Sequence, residues 1–170
     1  MFRKLRKGGY DAFNIFVVLP GGGLLGYATF PLARSSTASK RRLDGVVLHY
    51  NTLPARPGAK DTWPYALGQT AVHEAGHWFG LLHTFQGGCE EQGGGDLIAD
   101  TPPEANPTFG CVKTPVDTCP ESRGVDSVNN FMSYSDDACL DDFSPGQIER
   151  LVASFQGLRR GVKVQRPQSG

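Results

Sequence analysis

His73-Glu74-Ala75-Gly76-His77-Trp78-Phe79-Gly80-Leu81-Leu82-His83 is the stretch on which the reading of this chain turns. Positions i and i+4 of an α-helix share a face, so His73 and His77 can aim imidazole nitrogens at one metal about 2.0 to 2.1 Å away. Glu74 lies one residue round the helix, beside that metal rather than on it. Gly80 lets the chain leave the helix through a left-handed turn that a side chain resists, bringing His83 back as a third ligand. Three neutral imidazoles leave one tetrahedral position open to water, a donor set that suits zinc and hydrolytic chemistry. With only four histidines in 170 residues, chance placement of the whole pattern is on the order of 10⁻⁵. A helix that merely carries two exposed histidines does not account for it. The remaining histidine, His49, reads as a strand residue with a satisfied hydrogen bond.

Working outward from the motif, apolar residues Leu67, Val72, Ala75 and Phe79 recur at three- to five-residue steps and place the helix from about Tyr65 to Phe79, closed by Gly80. Upstream, Phe13 to Leu19 is a β-prone run ended by Pro20 and Gly21, and Gly26 to Phe30 and Gly45 to Tyr50 are two further short runs bounded by turn residues. A small sheet therefore precedes the helix. The basic start of the chain reads as a lead-in to the first strand, since Asp11 and Asn14 interrupt its apolar stretch and no small-residue cleavage site follows. Downstream, Leu81 to Asp142 has little periodicity and much Gly, Pro, Asp and Cys. Ser144, Pro145 and Gln147 then spell a helix start with a capping box, Ile148, Leu151, Val152 and Phe155 give that helix an apolar face, and Gly157 ends it before a frayed basic tail from Arg159.

The composition narrows the class. One domain is expected at this length, and Gly or Pro at 34 of 170 positions makes it loop-rich. Seventeen basic and seventeen acidic residues balance to zero, so no global field favours nucleic acid or acidic lipid. Apolar runs fall short of the ~20 residues of a membrane helix, so no membrane partner is expected. Charge is uneven: residues 1–42 hold eight basic groups and one acid, residues 86–143 twelve acids and two bases. Four cysteines between Cys89 and Cys139, without CxxC spacing, favour two disulfides and an extracellular setting, although four cysteines alone permit three pairings.

At this point the sequence resembles the metzincins, zinc endopeptidases marked by the long zinc motif and a downstream methionine turn. Asn130-Phe131-Met132-Ser133-Tyr134 resembles that turn, where Met132 would lie beneath the zinc and Tyr134 beside it. Closer still is the pappalysin branch, including secreted fungal and bacterial members, through GGGLLGYATFP, DGVV, HTFQGGC, GDLIADTPPE, NNFMSYSDDAC and FSPGQIERL. The fold this implies is α+β and zincin-like: a small twisted sheet with the zinc-binding helix (residues 1–80), then a loop-rich, disulfide-stapled part ending in a helix (residues 81–170). Only 72 residues precede His73, fewer than in most members of that branch, so the chain is expected to be a portion of the catalytic domain.

The resemblance also implies the remaining site residues. Zinc would lower the pKa of a water to ~7 and polarise the scissile carbonyl, Glu74 would take and return the proton, and Tyr134 would stabilise the oxyanion. Disulfides would run Cys89–Cys119 and Cys111–Cys139. Gly26, Tyr27, Ala28, Thr29 and Phe30 would form an edge strand that aligns an extended protein or peptide substrate. The oxygen-rich loop holding Asp96 and Asp100, near Glu90, Glu91 and Glu104, would bind calcium through Asp96, the Ala99 carbonyl and Thr101, the alternative being a solvated acidic loop. Asp136 and Asp137 would wall the pocket for the residue after the scissile bond and favour Arg or Lys there. A monomer is expected. The competing reading is a secreted binding module in which zinc is only a staple, but such a module has no need of Glu74.

Overall fold

A computed structural model describes residues 1–54, 63–90 and 95–162. Its elements are α1 (Phe2–Leu5), β1 (Ile15–Val18), β2 (Gly26–Ala28), α2 (Ala38–Arg41), β3 (Val46–His49), α3 (Gln69–Phe79), β4 (Phe109–Gly110), β5 (Tyr134–Ser135) and α4 (Pro145–Ser154), the last running into one π-helical turn over Phe155–Arg159. The architecture is the expected mixed α+β arrangement of small sheet, long helix, loops and closing helix. Glu91 lies outside the described residues.

β3 is the middle strand, parallel to β1 with Ile15 opposite Val46 and antiparallel to β2 with Gly26 opposite Leu48. Its run Val46, Val47, Leu48 is buried throughout, because both faces are covered: Val47 lies between Phe16 and Tyr27, on whose rings Phe2 packs. Val46 and Leu48 meet Trp78 of α3 in the core, with Ala28, Ala71, Phe79 and Phe155 packed round them. β1 and β2 are the two outer strands, and β2 pairs on one side only among the described residues.

The helix carrying the histidines starts four residues later than its apolar spacing suggests. Gly68 sits in the left-handed region at φ 96°, and the Asp137 carboxylate accepts hydrogen bonds from the amides of Leu67 (2.8 Å) and Gln69 (3.1 Å). The N-terminal amides that a local residue usually caps are thus partly served from 70 residues downstream. The far end is as expected, with Gly80 left-handed at φ 102°. Ser144 and Gln147 form the expected capping box of α4. The end of α4 needs correction: the chain winds past Gly157, and Arg159, expected in a frayed tail, is 0 % exposed.

Arg159 is buried because its charge is matched. Its Nη1 donates to Asp44 at 2.7 Å, Nε to the Trp78 carbonyl and Nη2 to the Thr29 carbonyl. The guanidinium lies 3.7 Å over the Trp78 ring and 4.5 Å from that of Tyr10. Asp44 also accepts from Trp78 Nε1 (3.0 Å) and the Thr29 hydroxyl (2.9 Å). This ion pair therefore joins the π-helical turn after α4 to the sheet and to the back of α3. The loops are stapled as the resemblance implied, Cys89 to Cys119 and Cys111 to Cys139, with Cα atoms 5.4 and 5.7 Å apart. Each closes a loop of about 30 residues, worth roughly 3 to 4 kcal/mol on the loop-entropy model.

Candidate active site

α3 presents His73 and His77 on one face, and the left-handed exit at Gly80 returns His83 toward them. The Nε2 atoms of His73 and His83 are 3.2 Å apart, those of His77 and His83 3.0 Å. Nitrogens at tetrahedral positions about 2.05 Å from one centre lie about 3.3 Å apart, so the triad is close to the spacing that zinc requires. Nδ1 of His73 donates to the Phe131 carbonyl at 2.7 Å and Nδ1 of His77 to the Leu81 carbonyl at 2.8 Å. These bonds place the ring protons on Nδ1 and leave the Nε2 lone pairs facing inward, as metal-binding imidazoles require. Burial, with neighbouring histidines adding to it, holds His73 down to about 3 and His83 down to about 4, so the rings are neutral. Among the described residues this is the one cluster of His, Cys, Asp or Glu with ligand atoms drawn together tightly enough to hold a metal, all within 4.8 Å of one another.

Glu74 stands beside the triad, 6 % exposed, with Oε2 lacking a hydrogen-bond partner. β2 runs directly over it: a Cβ at Gly26 would come within 2.9 Å of its side chain. That cover strips water from the carboxyl and pushes it up to about 8. Met132, fully buried, lies beneath α3, its sulfur where a side chain on Gly76 would stand. Tyr134 brings its hydroxyl to 3.1 Å from His83 Nε2. Its phenol is pushed above the usual tyrosine range by burial, with the Glu74 charge adding to it.

A cleft of about 450 Å³ opens over these groups, with β2, Phe30, Tyr65, Thr70 and Leu140 among its walls. Gly26, Tyr27, Ala28 and Phe30 line it, the Phe30 ring 5.1 Å from that of His77. Thr29 departs from expectation. Its hydroxyl, amide and carbonyl are all taken by Asp44, Gly45 and Arg159 on the inner side, so it offers the cleft nothing. The two acids after the methionine turn also separate. Asp137 lines the cleft at 3 % exposure and is raised above the usual carboxylate range by burial, against the pull of the Leu67, Gln69 and Gly68 amides. Asp136 is not among the lining residues.

The loop expected to bind calcium lines a separate surface cleft of about 600 Å³. Asp96 there accepts from the Ile98 amide and the Thr101 hydroxyl, which also reaches the Ile98 carbonyl. Asp100 is turned to α4, accepting from Ser144 Oγ and Gly146 N. Glu104 does not belong to that loop's outer face. It is fully buried, accepting from Thr84 Oγ1 and Ser127 N, and so braces the residue after His83.

The histidine reading of the sequence missed Phe85 and Phe109. Phe85 stacks on His83 at 4.7 Å with the rings 9° apart, and Phe109 pairs with Tyr134 across β4 and β5. Phe85 has a local cue, two residues beyond His83. Phe109 has none, because only the Cys111–Cys139 link and the β4–β5 pairing bring it there.

Comparison with known proteins agrees with this geometry. An extracellular metalloprotease of Pyricularia oryzae is 46% identical over 161 residues, covering 92% of this chain and 53% of the relative. One from Sordaria macrospora is 43% identical over 164 residues, covering 96% and 55%. The chain thus spans about half the length of the curated relatives it matches. Mature mirolysin of Tannerella forsythia, solved with a cleaved peptide, superposes with a TM-score of 0.71 at 37% identity, over 85% of this chain and 52% of that one. The family model of Peptidase_M43, pregnancy-associated plasma protein-A, matches residues 47–156, a span that holds the three histidines, Glu74, both disulfides and the methionine turn. The chain belongs to the Peptidase_M43 metalloprotease family.

Proposed function

We propose that the chain forms the zinc- and substrate-holding part of an extracellular endopeptidase, with residues 1–80 and 81–170 as the two walls of one catalytic domain. The observation that carries this is the convergence of three Nε2 atoms beside an acid, Glu74, whose Oε2 has no hydrogen-bond partner among the described residues. His73, His77 and His83 would hold zinc, which when bound supplies Lewis acidity to a carbonyl and a lowered pKa to water. The free row of β2 receives an extended peptide by strand addition. Glu74 takes a proton from water at its carboxylate and passes it to the departing amine. Burial raises its pKa, and a dication held by the neutral triad would oppose that shift. The Tyr134 hydroxyl, at the mouth of the triad, donates to the oxygen that becomes negative in the transition state. Calcium would find three oxygens at Asp96, Ala99 and Thr101 out of the six to eight it takes, with water completing the shell.

The test is metal analysis together with a peptide-library digest. About one zinc per chain is expected, lost in His83→Ala, with cleavage dependent on the metal. Full zinc content in His83→Ala would remove the third ligand from the account. Zinc binding without any cleavage by the wild type would favour the zinc-staple reading.

Specificity rests on Asp137. A carboxylate with little water around it gains from a charge-assisted bond to guanidinium or ammonium and is left short of partners by an apolar side chain. Cleavage-site sequencing should show Arg or Lys enriched just after the cut, and Asp137→Asn should abolish the enrichment, while Asp136→Ala leaves it intact. Asn keeps an acceptor for the Leu67 and Gln69 amides, so α3 stays anchored. No basic enrichment in the wild-type digest would refute the assignment.

A further inference from the structure

The capping box of α4 reaches further than its own helix. Gln147, 0 % exposed, accepts from the Ser144 amide at Oε1 (2.9 Å), which completes the cap. The same Oε1 accepts from Asn130 Nδ2 at 2.7 Å, and Gln147 Nε2 donates to Asn130 Oδ1 at 3.0 Å. Two buried primary amides therefore face each other in a closed two-bond pair. Capping does not call for this: a Glu at the third helical position caps as well as a Gln, but has no N–H to give Asn130.

Asn130 begins the methionine turn. Its Oδ1 also accepts from the Met132 amide (2.9 Å), and its carbonyl accepts from the Ser133 amide (2.9 Å). Between them stands Phe131, whose carbonyl takes the Nδ1 proton of His73. The path from α4 to the metal ligand is thus Gln147 side chain, Asn130 side chain, turn backbone, Phe131 carbonyl, His73 ring. The Met132 carbonyl accepts from the Thr84 amide (3.3 Å), beside His83.

We propose that Asn130 and Gln147 form a clasp that sets the methionine turn at the height where the Phe131 carbonyl orients His73, making Gln147 a positioning residue for metal binding. The inference rests on the zinc reading above. Partners that orient a ligating histidine change metal affinity by about 10- to 100-fold when lost. Gln147 acts one step behind such a partner, so the lower end applies.

Zinc dissociation constants of the purified chain, measured by competition with a chelating dye, test this. The wild type should bind one zinc, and Gln147→Glu, which keeps the cap but loses the bond to Asn130 Oδ1, should bind about tenfold more weakly. Asn130→Asp removes the reciprocal donor and should weaken binding similarly, so it carries the test if Gln147→Glu does not fold. Ser144→Ala removes the capping hydroxyl without touching the pair and should stay within about twofold of wild type. Wild-type affinity in the clasp variants, or equal weakening in Ser144→Ala, overturns the clasp while leaving the zinc reading intact. A wild type that binds no zinc overturns both.

Discussion

Replacing Glu74 by Gln is expected to slow peptide hydrolysis by on the order of 10²- to 10⁴-fold, the range a positioned general base contributes, with zinc still bound. The separation of the two effects follows from the geometry. Glu74 stands outside the three nitrogens that converge, and its Oε2 has no partner to lose. Gln fills the same space under Gly26, so the roof that β2 makes need not move. What disappears is the ability to hold a proton between water and the leaving amine. Turnover of a fluorogenic peptide, with zinc content measured on the same sample, checks both halves. A rate within tenfold of wild type would refute the assigned base, and loss of zinc would show that the carboxylate supports the metal instead.

Asp44→Asn is expected to destabilise the fold by about 3 to 5 kcal/mol, the cost of leaving one member of a buried ion pair uncompensated. Asp44 accepts from Arg159, Trp78 and Thr29, and from Arg6 at 3.4 Å. An amide of the same size satisfies some of these donors but supplies no charge to a guanidinium that is fully buried. Asp44→Asn with Arg159→Met should recover part of the loss, because the more deeply buried of the two guanidiniums paired with Asp44 goes and Met can fill the slot between Trp78 and Tyr10. Urea denaturation of the three proteins measures this. A single variant within about 1 kcal/mol of wild type would show that the pair is not what secures the turn after α4 to α3.

Much of the site was legible because the histidine motif is local. The His73–His77 spacing is a property of any α-helix, Gly80 is a conformational requirement, and the Ser144–Gln147 cap is contained in four residues. The three strands and their turn residues were equally local, and their bounds shifted by only a few residues. The misreadings share a different character. The helix start at Gln69 instead of Tyr65 depends on Asp137 far along the chain. Arg159, in a basic tail, carried no sign of burial until Asp44 stood opposite it. Thr29 and Asp136 belonged to stretches that face the cleft, yet neither lines it, and Phe109 was an unremarkable aromatic in a loop.

By itself, then, the sequence determined the histidine cluster, the helix that bears it and the class of fold, since those follow from residue types at fixed short spacings. Which acid walls the cleft, which acid caps a helix and which turns inward was decided only by the tertiary structure. Carboxylates are chemically alike, and their roles are assigned by the donors and the degree of burial that distant segments bring to them. The same holds for Gln147, which a four-residue window shows as a helix cap and the folded chain shows bonded to the turn beneath the histidines.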